Sequence, residues 1–196
     1  MGEEAEGNSG DAAMALTENE RNTLLGLARE SVAATVGKGR RPRPVVEGTL
    51  GERRGCFVTL TNRGRLRGCI GTFDPARPLG EEIVEMAAAA ATDPRFIYYN
   101  PITAGEVDAL TVGVSVLSEL EPIDDPLAIE LGVHGIYVVA GGASGCFLPE
   151  VATETGWTKE QFLSECCAGK AGMGPDAWRD GTAKVYVFTS EKFSDA

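Results

Sequence analysis

The chain has 196 residues, enough for one domain or for two small lobes sharing a core. Hydrophobic residues make up 43% and charged residues 24%, and no apolar run approaches the roughly 20 residues that cross a bilayer, so no membrane role is expected. The formal net charge of -11 argues against nucleic acid as a partner.

The charge is uneven. Between Lys38 and Arg67 lie nine basic residues, opposed only by Glu47 and Glu52. This is either a solvated basic loop with arginines at strand edges or a local anion site. Of the five cysteines, none are spaced C-x-x-C, which fits a reducing compartment and speaks against a disulfide framework or a zinc site. No metal and no cofactor is expected. His134 is the only histidine, so a mechanism needing two from this chain is excluded. The opening MGEEAEGNSGDAA is acidic and Gly-rich, unlike a signal peptide, and a cytoplasmic location is the expectation.

Residues 1–15 are expected to be a disordered acidic tail, and residues 16–196 the folded domain. Thr17-x-x-Glu20 is a capping box, and Leu24, Leu25, Ala28 and Val32 recur at helical spacing, predicting a helix to about Thr35. GKGRRPRP follows as an extended loop. GCFVTL, TNRG and RLRGCIG read as a β-hairpin. A three-residue turn at Asn62-Arg63-Gly64 pairs Thr61 with Arg65, Leu60 with Leu66, Val58 with Gly68 and Cys56 with Ile70. In that register Leu66 and Ile70 face the core, while Arg65, Arg67 and Cys69 share the other face. Cys56 and Cys69 then point apart and do not bridge.

Pro78 and Leu79 open a second helix with Leu79, Ile83, Met86, Ala87 and Ala90 on its buried side. Its alanine run, Ala87–Ala91, lets it pack close to a sheet, and it stops at Asp93-Pro94. Leu110–Leu120 alternates as a strand. GIYVVA, a GGASG turn and GCFLP predict another hairpin. Thr158-x-x-Gln161 caps a helix bearing Phe162, Leu163 and Cys166, and AKVYVF reads as the last strand. Strands arriving in hairpins, with no βαβα alternation, give an α+β protein with largely antiparallel sheets covered by helices.

Cys69 is the first chemical candidate, because a thiol beside positive charge is a useful nucleophile. Arg67 and Arg65 precede it at strand spacing of roughly 7 Å per two residues. Gly68 and Gly71 would let a ligand approach the backbone. The alternative is a cysteine packed as a small apolar residue. His134, in Gly132-Val133-His134-Gly135, is either an acid or base or a residue bonding its own loop. Asp93 and Arg95 either orient a substrate or pair at a helix stop. Glu150 is either an acid or base or an ion-pair partner.

RLRGCIGTF, DPRF, VSVLSELEPI, GVHGI, LPEVATETGW and the KAG-x-x-x-D-x-W tail occur in this order. With these blocks the chain closely resembles the AMMECR-one domain family, in its bacterial and archaeal form AmmeMemoRadiSam system protein A, from about Leu16 to Phe193. The resemblance implies two unequal α/β lobes with antiparallel sheets and a cleft between them. It places Arg67, Gly68, Cys69, Ile70, Gly71, Asp93, Arg95, Phe96, His134, Gly135, Pro149 and Glu150 near that cleft. It also implies a Memo-like protein and a radical-SAM protein as pathway partners.

Three functions follow as expectations. The first is an enzyme acting on a small anionic substrate, with Cys69, His134 and Glu150 catalytic and Arg65, Arg67, Gly68, Gly71, Asp93 and Arg95 binding. The second is a non-catalytic binding or accessory module of the same pathway. The third, nucleic-acid binding through the basic segment, is opposed by the net charge and by the lack of a recognition motif.

Overall fold

A computed structural model describes residues 15–195. The expected acidic tail falls on residues 1–14, outside the described residues, and on Ala15. The chain divides into two unequal units. The first comprises residues up to Val116 together with the terminal stretch from Glu191, and the second is Leu117–Ser190. The α+β class with antiparallel sheets holds for both.

The first unit starts with α1 (Glu18–Thr35). The capping box forms as expected: Glu20 N–H donates to the Thr17 hydroxyl, and the Glu20 carboxylate accepts from Thr17 N–H at 2.8 Å. The sheet has the order β2-β1-β3-β8, with β1 (Cys56–Asn62), β2 (Arg65–Thr72), β3 (Leu110–Leu117) and β8 (Ser190–Ser194). The strand β8 lies beyond the AKVYVF segment read as the last strand. The helix α2 (Leu79–Ala91) packs on α1 and on the β1–β2 hairpin. Leu24, Val58, Leu60, Ile83, Ala87, Val112 and Val114 fill the core between them.

The hairpin departs from the expected register. Its turn has only two residues, Arg63 and Gly64, both with positive φ (49° and 75°), so Asn62 pairs with Arg65 and Thr61 with Leu66. A bulge follows. Leu60 pairs with Gly68, so Arg67 is the extra residue, and the pairing continues as Thr59–Cys69, Val58–Ile70 and Phe57–Gly71. The bulge inverts the parity of the strand. Leu66 turns outward and is 41% exposed, while Ile70 keeps its place against the core. Cys56 and Cys69 lie on opposite faces and remain free thiols, as expected.

Two glycines of the motif sit where the packing is close. A Cβ at Gly68 would lie 2.0 Å from the Ala90 carbonyl oxygen of α2. A Cβ at Gly71 would lie 2.3 Å from the Phe57 ring, which covers it across the strands.

The second unit has the sheet order β4-β7-β5-β6, with β4 (Glu121–Pro122), β5 (Gly135–Ala140), β6 (Ala143–Phe147) and β7 (Lys184–Phe188). The β5–β6 turn is Gly141-Gly142 alone, both left-handed, so the following Ala-Ser-Gly belongs to β6 rather than to a longer turn. A short helix, α3 (Pro149–Thr155), occupies the LPEVATET stretch. α4 (Lys159–Glu165) starts at the Thr158 capping box and runs into a π turn at Cys166–Lys170. Phe147, stacked on Phe162 at 5.3 Å, joins β6 to α4 in a core with Ile136, Val138 and Trp178.

Gly68→Ala is expected to destabilise the protein by about 1–3 kcal/mol, because the Ala90 carbonyl belongs to backbone that cannot step aside cheaply. Urea unfolding measures it. A variant as stable as the parent would contradict the close approach of α2 to β2.

Candidate functional site

β2 is an edge strand, so every second residue presents its backbone outward, away from β1. Cys69 is such a residue, and both its backbone groups are taken. Its N–H donates to Asp93 Oδ2 at 3.0 Å. Its carbonyl accepts from Arg95 Nη2 at 3.1 Å. Arg95 also donates to Asp93 from Nη2 (2.6 Å to Oδ2) and from Nε (3.0 Å to Oδ1). The backbone N–H of Arg95 closes the arrangement on Asp93 Oδ1 at 3.0 Å. The DPRF turn at the end of α2 thus clamps the two peptides that flank Cys69 on the edge strand.

The side chain of Cys69 is partly exposed, on the face away from the core. The Thr59 hydroxyl, directly across the strands, donates to its sulfur at 3.3 Å.

Arg67 stands elsewhere. The bulge sends it to the side of Asn62, where it is 7% exposed and bound to Glu106 by Nε at 2.7 Å and Nη2 at 3.0 Å. Asn62 Nδ2 donates to the same carboxylate at 2.9 Å. The expected shared face of Arg65, Arg67 and Cys69 is therefore not formed. The cation beside Cys69 is Arg95. Arg65 is exposed at the hairpin end, opposite Asn62.

The electrostatics follow the geometry. Hydrogen bonds from Arg95, and then from the Cys69 and Arg95 backbone, outweigh burial and hold the Asp93 carboxyl down at about 2. Arg95 is raised in turn, first by its bonds to Asp93. Glu106 is lowered mainly by its bonds from Arg67. Burial pushes the Cys56 thiol up to about 12, with Glu82 adding to it, and raises Cys166 and Cys167 as well.

His134 and Glu150 belong to the second unit. Ile136 pairs with Phe147, so the residues just before β5 and just after β6 emerge at the same end of that sheet. His134 Nδ1 accepts from the Glu130 N–H at 3.0 Å, and His134 N–H donates to the Glu130 carbonyl at 2.9 Å. The histidine thus binds its own loop through Nδ1, which places the ring proton on Nε2. Glu150 lies in the first turn of α3.

Sequence reasoning missed Thr59 as the partner of Cys69 and Glu106 as the partner of Arg67. The first follows once the two-residue turn and the bulge are known. The second carries no local signal, because Glu106 lies 39 positions along the chain. Among the described residues no group of three or more His, Cys, Asp or Glu side chains is gathered as a metal site would require, and no helix is long and apolar enough to cross a membrane.

The AMMECR1 family model matches residues 25–193, which takes in the clamp, the bulge and both second-unit motifs. The chain belongs to the AMMECR1 family. A protein of Methanothermobacter thermautotrophicus is 40% identical over 189 residues, covering 92% of this chain and 96% of the relative. One of Thermococcus gammatolerans is 43% identical over 186 residues, covering 88% of each. A crystal structure of an uncharacterized protein from Pyrococcus horikoshii matches with a TM-score of 0.78 and 40% identity, covering 87% of this chain and 89% of that one. The AMMECR1 fold thus accounts for both units and for the antiparallel sheets.

The clamp gives this AMMECR1 protein a defined acid response. The folded-state value of Asp93, about 2, lies below the ordinary Asp value of about 3.9. The stabilisation it supplies, on the order of 2 kcal/mol, is complete above pH about 4 and is lost as pH falls towards about 2. Asp93→Asn is expected to be less stable at neutral pH and to lose less stability than the parent across that acid window. Thermal melts at several pH values decide it; parallel profiles would contradict the clamp.

Proposed function

We propose that this AMMECR1 protein is a cytoplasmic thiol-dependent enzyme acting on a small anionic substrate, with Cys69 Sγ as its nucleophile. The clamp carries this reading. An ion pair fixes the backbone of a partly exposed cysteine at both its N–H and its carbonyl, and Thr59 aims a hydroxyl at the sulfur. Such pinning positions a reacting atom on a rigid strand. Arg95 uses Nε and Nη2 within the clamp, and its side chain is 57% exposed. Its Nη1 hydrogens are the donors this reading offers to a carboxylate or phosphate of the substrate. Arg67 is assigned no part in the chemistry, since Glu106 holds it. Gly68 and Gly71 serve by admitting Ala90 and Phe57, and Arg65 by adding positive charge to the same strand.

The second reading is an accessory module of a pathway with a Memo-like and a radical-SAM protein. The observation that favours it is that Arg67, Gly68, Gly71 and Asp93 are all engaged by the fold itself. Full pathway output from Cys69→Ser, with both neighbours present, would select it.

Alkylation of the native protein tests the first reading. Cys69 and Cys146 are the two partly exposed thiols, whereas Cys56, Cys166 and Cys167 are buried. Cys69 is expected to react with iodoacetamide at least about tenfold faster than Cys146. Thr59→Val is expected to change the Cys69 rate alone. Equal rates at Cys69 and Cys146, read by peptide mass spectrometry, would overturn the enzyme reading.

A further inference from the structure

The DPRF turn does more than clamp Cys69. It is anchored to β2 at two points, by Arg95 on the Cys69 carbonyl and by Arg67 on the Pro101 carbonyl at 3.4 Å. Residues 93–101 therefore run along the open edge of β2. The middle of that span carries Ile97, Tyr98 and Tyr99, and the two tyrosines are 84% and 90% exposed. Leu66, turned outward by the bulge on β2, is 41% exposed. Arg63 and Arg65 complete the surface at the hairpin end. Both are exposed, and neither is in an ion pair among the described residues. Tyrosine, arginine and aliphatic residues without lysine have the composition of a protein-binding surface.

The second unit carries the opposite surface on one continuous stretch. Glu121, Asp124, Asp125 and Glu130 are exposed, and none is in an ion pair among the described residues. Leu127 and Val133, between and beside them, are 40% and 45% exposed. Lys159 is the nearby cation, and it donates to the Leu127 carbonyl at 2.8 Å. This stretch is acidic with aliphatic points, where the first surface is basic with aromatic ones. Both stay exposed in the folded chain.

We propose that the Arg63–Leu66 hairpin end together with Ile97–Tyr99 docks on the Glu121–Val133 stretch of a second copy of this chain. A symmetric contact of the first surface with itself would set arginine against arginine, which opposes it. The contact is therefore head-to-tail, one surface of each copy against the other surface of the next. The proposal is independent of whether Cys69 reacts.

Sedimentation velocity of the full chain over rising concentration tests it. The weight-average sedimentation coefficient is expected to rise with concentration at about 0.05 M salt and to fall back at about 0.5 M, because exposed pairs are screened. Arg63→Glu with Arg65→Glu is expected to weaken association at least about tenfold, as is Glu121→Lys with Asp124→Lys. All four changes in one chain are expected to restore it. Tyr98→Ser with Tyr99→Ser weakens it at either salt. Thermal melts confirm that each variant is folded. A chain that stays monomeric at high concentration and low salt, or an association that neither charge reversal moves, would overturn the proposal. So would failure of the combined reversal to restore it.

Discussion

Asp93 is nearly inaccessible to water, with 2% of its surface exposed, and it must be charged to do what it does. A buried carboxylate without partners costs several kcal/mol. Here it has the Arg95 guanidinium and two backbone N–H groups, one of Arg95 and one of Cys69. That single side chain ties the end of α2 to the edge of the sheet. It supplies the counterion of Arg95 and satisfies an outward-facing donor of an edge strand. The placement of Arg95, the path of residues 93–101 and the exposure of Tyr98 and Tyr99 all follow from it.

The bulge at Arg67 is the second determinant, and the two depend on each other. Without it Gly68 would not face Leu60, and α2 could not bring the Ala90 carbonyl so close to β2. Without that approach Asp93 would not reach the Cys69 amide. The bulge also separates two arginines that local spacing would place together. Arg67 is drawn to Glu106 and Asn62, while Cys69 is left with Thr59 and Arg95. The surroundings of the thiol are thus decided by which strand residue is skipped.

Much of this was legible in the residues. Both capping boxes, the stripe of α2, the strand at Leu110 and the opposition of Cys56 and Cys69 follow from spacing and periodicity, because each rests on contacts a few residues apart. The alanine run at Ala87–Ala91 announced a close helix–sheet approach, and Gly68 is where it occurs. The register was not legible. Asn62-Arg63-Gly64 suits a three-residue turn, but Arg63 itself adopts φ 49°, which shortens the turn to two. Nothing local reveals the compensating bulge, whose energetic reason is Glu106 far along the chain. His134 offered two readings, and the structure shows the loop bond, at Nδ1. The strand β8 was missed because Ser190–Ser194 is polar and short, and it forms by pairing at the edge of β3.

The clamp is tested most directly at the Cys69 amide itself. Hydrogen exchange followed by NMR reads that group alone. The account predicts that Cys69 N–H is strongly protected although it points away from β1. Asp93→Ala should remove this protection while leaving the amides that pair β1 with β3 unchanged. A Cys69 amide that exchanges as fast in the parent as in the variant would contradict the account.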